Sequence, residues 1–247
     1  KDLTMRQLPK ALTPESIIQQ NLEESQQPQS FFDDFAQSVT LYRDDDIWVI
    51  DKPHGLLSVD GKELKFSLQS RLLRADPSVK LIHRLDMDTS GIIIFARNSD
   101  AQTHISKQFI ERLPTKEYQA VVWGTAPQQG EVNVPVRYEP TLKPKHIVDS
   151  NWHKHALTHF ETLHHELRQG KAVSRVALYP VTGRSHQLRV HMLHLGHVML
   201  GDPIYAQDVL AGEAFRLSPR LCLHARKLRL KHPKTEAWVT WESQVPF

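Results

Sequence analysis

Cysteine is nearly absent from this 247-residue chain: Cys222 is the only one, so no disulfide can form within it. It sits in the apolar run Leu221-Cys222-Leu223, which reads as a buried structural thiol in a reducing, cytoplasmic setting. Long apolar runs are missing too. Nothing approaches the ~18 residues of a membrane-spanning helix, and the first residues lack the apolar core of a secretory signal. His-Glu-x-x-His, paired cysteine ligands, Gly-x-x-x-x-Gly-Lys and Gly-x-Gly-x-x-Gly do not occur, so neither a metal nor a nucleotide cofactor is implied. The 15 histidines require one further check, because His155 and His159, or His191, His194 and His197, have spacings that zinc ligands on a helix can use. Residues 156–166 read as a strand, where a four-residue gap spans ~13 Å. Gly196 ends the second pattern before His197. Structural or phosphate-contacting imidazoles are expected, and no metal.

At 40% hydrophobic and 24% charged residues, the chain has the composition of a globular protein with a substantial core. A net charge of +3 hides an asymmetry: residues 1–60 carry 5 Lys or Arg against 11 Asp or Glu, and residues 61–247 carry 26 against 17. A body of net charge +9 suits a polyanionic partner. Residues 1–38 read as an extension, with Thr13 capping a short helix that begins at Pro14, followed by a flexible Gln, Ser and Pro-rich linker. Residues 39–247 read as one domain.

Within that domain Leu41-Tyr42 and Ile47-Trp48-Val49-Ile50 read as paired strands across an acidic turn, stopped by Lys52-Pro53-His54-Gly55. Residues 67–74 suit a short helix with Leu68, Leu72 and Leu73 inward and Arg71 and Arg74 outward. Ser99 is expected to cap a helix reaching Arg112, with Ala101, Ile105 and Phe109 buried. Strands are expected at 116–124 and 130–138, then a basic loop at 140–151 holding Lys143, Lys145 and His146. A hairpin spans 156–180, and a helix runs from Leu188 to Leu195. The last strands run from Arg226 to Leu230 and from Ala237 to Trp241. Hairpins mixed with a few helices make the class α+β.

The densest chemistry lies at His83-Arg84-Leu85-Asp86-Met87-Asp88-Thr89-Ser90-Gly91, a polar run set against the β-branched strand Ile92-Ile93-Ile94. Physically it is a turn anchored on a core strand. The string His83-Arg84-Leu85-Asp86, two residues, then Thr89-Ser90-Gly91 resembles the signature of the RluA-like pseudouridine synthases. Lys116-Glu117-Tyr118 at the start of a strand resembles the family's tyrosine motif. Thr182-Gly183-Arg184-Ser185-His186-Gln187-Leu188-Arg189 resembles another of its motifs residue for residue. Lys52-Pro53-His54-Gly55, Gly201-Asp202-Pro203-Ile204-Tyr205 and Leu223-His224-Ala225 resemble further pieces.

The resemblance implies an isomerase that detaches the base of a uridine at N1 and rejoins it through C5. It also implies a mostly antiparallel mixed sheet flanked by helices, with a central active-site cleft. Asp86 is then the catalytic carboxylate, either attacking C1′ or removing the C2′ proton. Burial favours a neutral acid, so a permanent cation is required, and the resemblance makes it Arg189. Tyr118 packs on the target base and is the candidate for taking the C5 proton. Because a paired base is inaccessible the uridine must flip out, and Arg84 can fill the vacated stack. His83, Thr89, Arg184, His186, Lys143 and Lys145 are the remaining expected RNA contacts. The substrate is a stem-loop of ribosomal RNA, tRNA or both, and a monomer without an obligate protein partner is expected. Tyr205-Ala206 after Gly201-Asp202, with Gly55-Leu56-Leu57-Ser58-Val59 after Lys52-Pro53, favours the RluA type proper over the tRNA pseudouridine synthase C branch. An RNA-binding module without catalysis and a hydrolytic nucleosidase are the rival readings.

Overall fold

A computed structural model describes residues 12–247. In chain order the elements are α1 (Pro14–Ser25), α2 (Gln29–Val39), β1 (Thr40–Arg43), β2 (Ile47–Lys52), α3 (Leu68–Ala75), β3 (Lys80–Leu81), β4 (Ser90–Ala96) and α4 (Ser99–Ile110). They continue as β5 (Thr115–Trp123), β6 (Gln129–Asn133), β7 (Val136–Tyr138), β8 (His146–Val148), β9 (Leu157–Arg168), β10 (Lys171–Pro180), α5 (Gln187–His194), α6 (Glu213–Arg216), β11 (Leu223–Lys231) and β12 (Trp238–Glu242). The class is α+β with mostly antiparallel pairing, as the sequence implies. Among the described residues no helix is long and apolar enough to cross a membrane.

Two units form. The first combines the described part of Lys10–Thr115 with Ala225–Gln244. Its strands run β1-β2-β4-β11, with β3 on β4 and β12 on β11. The Ile47-Trp48-Val49-Ile50 run of β2 and all of β4 are buried, the continuous apolar pattern of strands covered on both faces. Ile47, Val49, Ile92 and Ile94 pack with Ile105 of α4 and with Leu228 and Leu230 of β11.

The helix start at Thr13 and Pro14 is as read from the sequence, the Thr13 hydroxyl accepting the Ser16 N–H at 3.2 Å. The expected linker after it is instead the helix α2, whose Phe32, Ala36 and Val39 form a buried stripe at helical spacing. Arg71 does not point outward. It forks onto Glu24 at 2.7 Å through both Nε and Nη2 and lies over the rings of Phe31, Phe35 and Phe66, so it fastens the extension to α3. Leu73 is 38% exposed rather than buried. The cap of α4 is Asn98, which accepts the Ala101 N–H at 2.8 Å, and not Ser99.

The second unit comprises Lys116–His224 and Val245–Phe247. Its strand order is β5-β10-β9-β6, with β7 and β8 as a separate pair. Alternation along β5 sends Ala120 and Val122 into a cluster with Val176, Leu178, Leu188 and Met192. Val121 joins a different cluster with Val190, Val198, Leu200, Phe215 and Cys222. Cys222 is fully buried and burial pushes its thiol up, the structural role expected of it. The expected strand 130–138 is broken in two. Pro135 has no N–H for a ladder, and the chain changes partner there, β6 pairing with β9 and β7 with β8. The expected basic loop is thus the tip and return strand of a short hairpin.

The acidic turn between β1 and β2 carries a measurable part of the stability. Burial pushes the Asp44 carboxyl up. The Ile47 backbone N–H, the Tyr42 hydroxyl, the His232 ring and the Asp46 backbone N–H outweigh it and hold the carboxyl at about 2. A depressed folded value stabilises above the unfolded value near 4 and is lost as pH falls toward 2. Asp44→Asn is expected to remove about 2 kcal/mol at pH 7 and about half that at pH 3, measured by urea unfolding at both values.

Candidate active site

In the first unit, the loop carrying Asp86 is fastened on both sides of that residue. Leu85 is buried, and one hydroxyl holds both its backbone groups: Ser58 Oγ accepts the Leu85 N–H at 3.0 Å and donates to the Leu85 carbonyl at 2.6 Å. The Met87 carbonyl accepts from the Gly55 N–H at 2.8 Å and from Lys52 Nζ at 3.0 Å. Lys52 is fully buried, and its ammonium also donates to the carbonyls of Pro53 at 2.9 Å and Leu56 at 2.7 Å. The chain can wrap around the ammonium because Gly55 adopts a φ of +80°. Between these clamps Asp86 is partly exposed, and Arg84 just ahead of them is exposed. The Thr89 N–H closes a turn on the Asp86 carbonyl at 3.1 Å.

The loop runs into β4 at Gly91, whose φ is +112°. A Cβ there would stand 2.3 Å from the Ala225 carbonyl oxygen, so only glycine lets β4 and β11 approach. His83 is turned inward: its Nε2 accepts the Ile94 N–H at 3.0 Å and its ring stacks on Phe109 with centroids 4.8 Å apart. Thr89 is buried at 2% exposure. His83 thus ties the loop to β4.

In the second unit, residues 182–187 are organised by Gln187. Its amide donates to the Leu157 carbonyl and Thr158 Oγ1, and its oxygen accepts from the Thr182 hydroxyl at 2.6 Å and the Arg184 N–H at 3.1 Å. Arg184 is half-buried and donates from Nε to the His155 carbonyl at 3.0 Å. His186 takes a left-handed φ of 56° just before α5. The Tyr205 hydroxyl accepts the His146 N–H at 2.9 Å and lies 2.6 Å from His186 Nδ1.

Arg189 is buried at 2% exposure, and its guanidinium grips Asp202 side-on, Nε to Oδ2 at 2.8 Å and Nη2 to Oδ1 at 2.7 Å. Asp202 Oδ1 also accepts the N–H groups of Ile204 and Tyr205. The Asp202 turn depends on Gly201, where a Cβ would stand 1.9 Å from the Arg220 carbonyl oxygen. Tyr118, opposite Leu178 on β5, is half-buried against the apolar cluster around Leu178, Leu188 and Met192. Lys116 Nζ lies 3.9 Å from where a Cβ of Gly183 would stand, and burial pushes its ammonium down. Of the basic loop, Lys143 is exposed, while Lys145 pairs with Asp208 at 2.5 Å.

Two of the histidines at zinc-like spacing have local partners. His191 is buried between the Thr158 hydroxyl and the Val134 carbonyl, both at 2.9 Å, and burial pushes it down. His197 Nδ1 meets the Trp123 carbonyl at 2.8 Å. Among the described residues one trio of ligating side chains converges, Asp44, Asp46 and His232. The Asp44 oxygens in it already accept the turn hydrogen bonds described above.

His83, Arg84, Asp86 and Thr89 thus share one loop of the first unit. Tyr118, Lys143, Lys145, Arg184, His186 and Arg189 belong to the second. The sequence reading gave no part to Lys52, Ser58, Gln187 or Asp202. A lysine ending a strand whose first four residues are apolar, directly ahead of Pro-x-Gly, is the signal that marks Lys52 as something other than surface charge.

Two outcomes follow. Lys52→Met removes three charge-assisted hydrogen bonds and leaves buried carbonyls without that donor. It should lower stability by about 3 to 5 kcal/mol in urea unfolding. Arg189→Met leaves the Asp202 carboxylate buried without its cation and should cost about 3 to 5 kcal/mol, whereas Arg189→Met with Asp202→Asn, which removes the charge and keeps an oxygen for the Ile204 and Tyr205 N–H groups, should recover most of that loss. An equal loss in the single and double variants would show that the pair itself is not what holds the turn.

Comparison with known proteins places these loops in a family. Residues 46–194 match the family described as RNA pseudouridylate synthase. The chain is 44% identical over 210 residues to a dual-specificity RNA pseudouridine synthase RluA of Pasteurella multocida, covering 84% of this chain and 93% of that protein. It is 43% identical over 212 residues to the protein of the same name from Escherichia coli K12, covering 85% and 94%. Among solved structures, human RNA pseudouridylate synthase domain containing 1 superposes with a TM-score of 0.71 at 31% identity, covering 85% of this chain and 84% of that one. Identity over most of the length, a matching fold and the motif loops together establish that the chain belongs to the RNA pseudouridine synthases, isomerases of uridine in RNA, of the RluA type.

Proposed function

We propose that this enzyme isomerises uridines in structured ribosomal RNA and tRNA, with Asp86 as the catalytic carboxylate. The dual specificity named for the Pasteurella and Escherichia relatives supports both substrate classes. The observation that carries the choice of Asp86 is its setting: both flanking residues are fixed through their backbones by Ser58, Gly55 and Lys52, while Asp86 itself stays partly open. A carboxylate held this way can meet a flipped-out nucleotide at C1′ or C2′ with little reorganisation. Tyr118 is proposed to pack on the uracil and take the C5 proton. Arg189, oriented by Asp202, is proposed as the cation that keeps Asp86 ionised. Arg84, Arg184, His186, Lys143 and Lys145 are the proposed RNA contacts, Arg84 filling the space that the base leaves. The proposal needs no metal, cofactor or second protein, because every group it uses belongs to this chain. The cytoplasm is the proposed site of action, in keeping with the free thiol of Cys222.

Asp86→Asn keeps the shape of the side chain and removes the carboxylate. It should fold and bind RNA as the parent does and form no pseudouridine in a single-turnover assay on stem-loop RNA. Turnover within tenfold of the parent would overturn the assignment. Mass spectrometry of the parent reaction separates the chemistries: isomerisation leaves the RNA mass unchanged and produces pseudouridine, hydrolysis releases uracil, and binding alone does neither.

A further inference from the structure

The hairpin of β11 and β12 carries a surface that this chemistry leaves unused. Its register places Lys227 opposite Glu242, Arg229 opposite Thr240 and Lys231 opposite Trp238. Strand alternation puts these six side chains on one face. On the other, Leu228 and Leu230 enter the core of the first unit, with Val239 and Trp241 packed against it. On the outer face Trp238 is 44% exposed. The Arg229 guanidinium carbon lies 4.6 Å from the centroid of its ring, and Lys231 Nζ lies 5.6 Å from it. Glu242 is matched by Lys227 at 2.9 Å and Arg226 at 3.6 Å. Among the described residues neither Arg229 nor Lys231 has a carboxylate partner. The connecting turn adds Lys234, also exposed.

An exposed indole on a two-stranded ribbon, with two cations without counter-charge over its ring, matches one partner chemistry. Bases stack on an aromatic face whatever their sequence, and guanidinium and ammonium groups beside the ring take the neighbouring phosphates. An acidic peptide satisfies the cations and leaves the ring without a flat partner. We propose that this face is a second RNA contact, Trp238 receiving an unpaired base and Arg229 and Lys231 the phosphates next to it. The proposal deepens the functional reading above by adding a recognition surface for the same substrate. Its position suits that role. Ala225 of β11 abuts Gly91 at the end of the Asp86 loop, and Arg229 and Lys231 lie four and six residues further along, or ~13 to 20 Å at strand rise. A stacked strand rising ~3.4 Å per nucleotide covers that distance in about four to six nucleotides.

The test uses the full chain and a stem-loop oligoribonucleotide with a uridine in its loop, its affinity read by fluorescence anisotropy between 50 and 200 mM salt. Trp238→Ala is expected to weaken binding about tenfold, while Trp238→Phe, which keeps a stacking face, stays near the parent. Arg229→Ala with Lys231→Ala should reduce the slope of log affinity against log salt by about 1.4, the loss of two phosphate contacts on a single strand. An abasic site about four to six nucleotides from the target should weaken binding to the parent and have no further effect on Trp238→Ala. The single-turnover rate at saturating RNA should be unchanged in all variants. Affinities within twofold of the parent for both the Trp238→Ala and the double-alanine proteins would overturn the proposal. So would an equal loss in Trp238→Ala and Trp238→Phe accompanied by a lowered Tm, which would make Trp238 a folding residue. Failure of the catalytic reading looks different: a parent protein that forms no pseudouridine yet shows the Trp238-dependent affinity.

Discussion

The buried ammonium of Lys52 is the contact on which the Asp86 loop depends. A lysine taken out of water costs several kcal/mol unless acceptors replace its hydration. Here the carbonyls of Pro53, Leu56 and Met87 stand 2.7 to 3.0 Å from it. Two of them come from the turn that follows β2 and one from the loop that carries Asp86. The charge therefore converts the end of a core strand into a peg around which two irregular segments are wound. Irregular backbone normally moves more than the elements it joins, and a peg of this kind supplies the rigidity that the role proposed for Asp86 needs.

Arg189 does comparable work in the second unit by different means. Its guanidinium forks onto the Asp202 carboxylate, and Asp202 is in turn held by the N–H groups of Ile204 and Tyr205. Tyr205 passes the constraint on, since its hydroxyl bonds both His186 and the backbone of the β7–β8 hairpin at His146. A buried ion pair of this type adds little net stability relative to apolar packing, and its value lies in orienting the groups it contains. Gly201 makes the arrangement possible by letting the Asp202 turn pass against the Arg220 backbone.

Charge counted along the chain and charge offered to a ligand differ. Arg97 is engaged by Asp76, and Arg71 by Glu24 and three phenylalanine rings. Arg84 and Lys143 stay exposed, as do Arg229 and Lys234 on the β11–β12 hairpin. A basic body is thus narrowed by its own ion pairs to a few cationic faces, and those faces set where a polyanion can dock.

The sequence by itself determined the family, the α+β class and most of the strands and helices, because motif spacing and hydrophobic period are local properties that survive without a fold. The hairpin of β9 and β10, the β1–β2 pair and α5 could all be read from alternation, turn residues and a glycine stop. The helix α2 was legible in principle from Phe32, Ala36 and Val39, and its polar composition hid it. Only the tertiary structure decided which charged residues are structural. Nothing within a few residues of Lys52 marks the Met87 carbonyl as its partner, 35 positions away, and nothing near Arg189 singles out Asp202 over other carboxylates. His83 and Thr89 stand in the same loop as Asp86, yet His83 bonds the strand beneath it and Thr89 is buried. Whether a polar side chain meets substrate or holds the backbone depends on which distant groups share its surroundings, and that is set by packing rather than by neighbours along the chain.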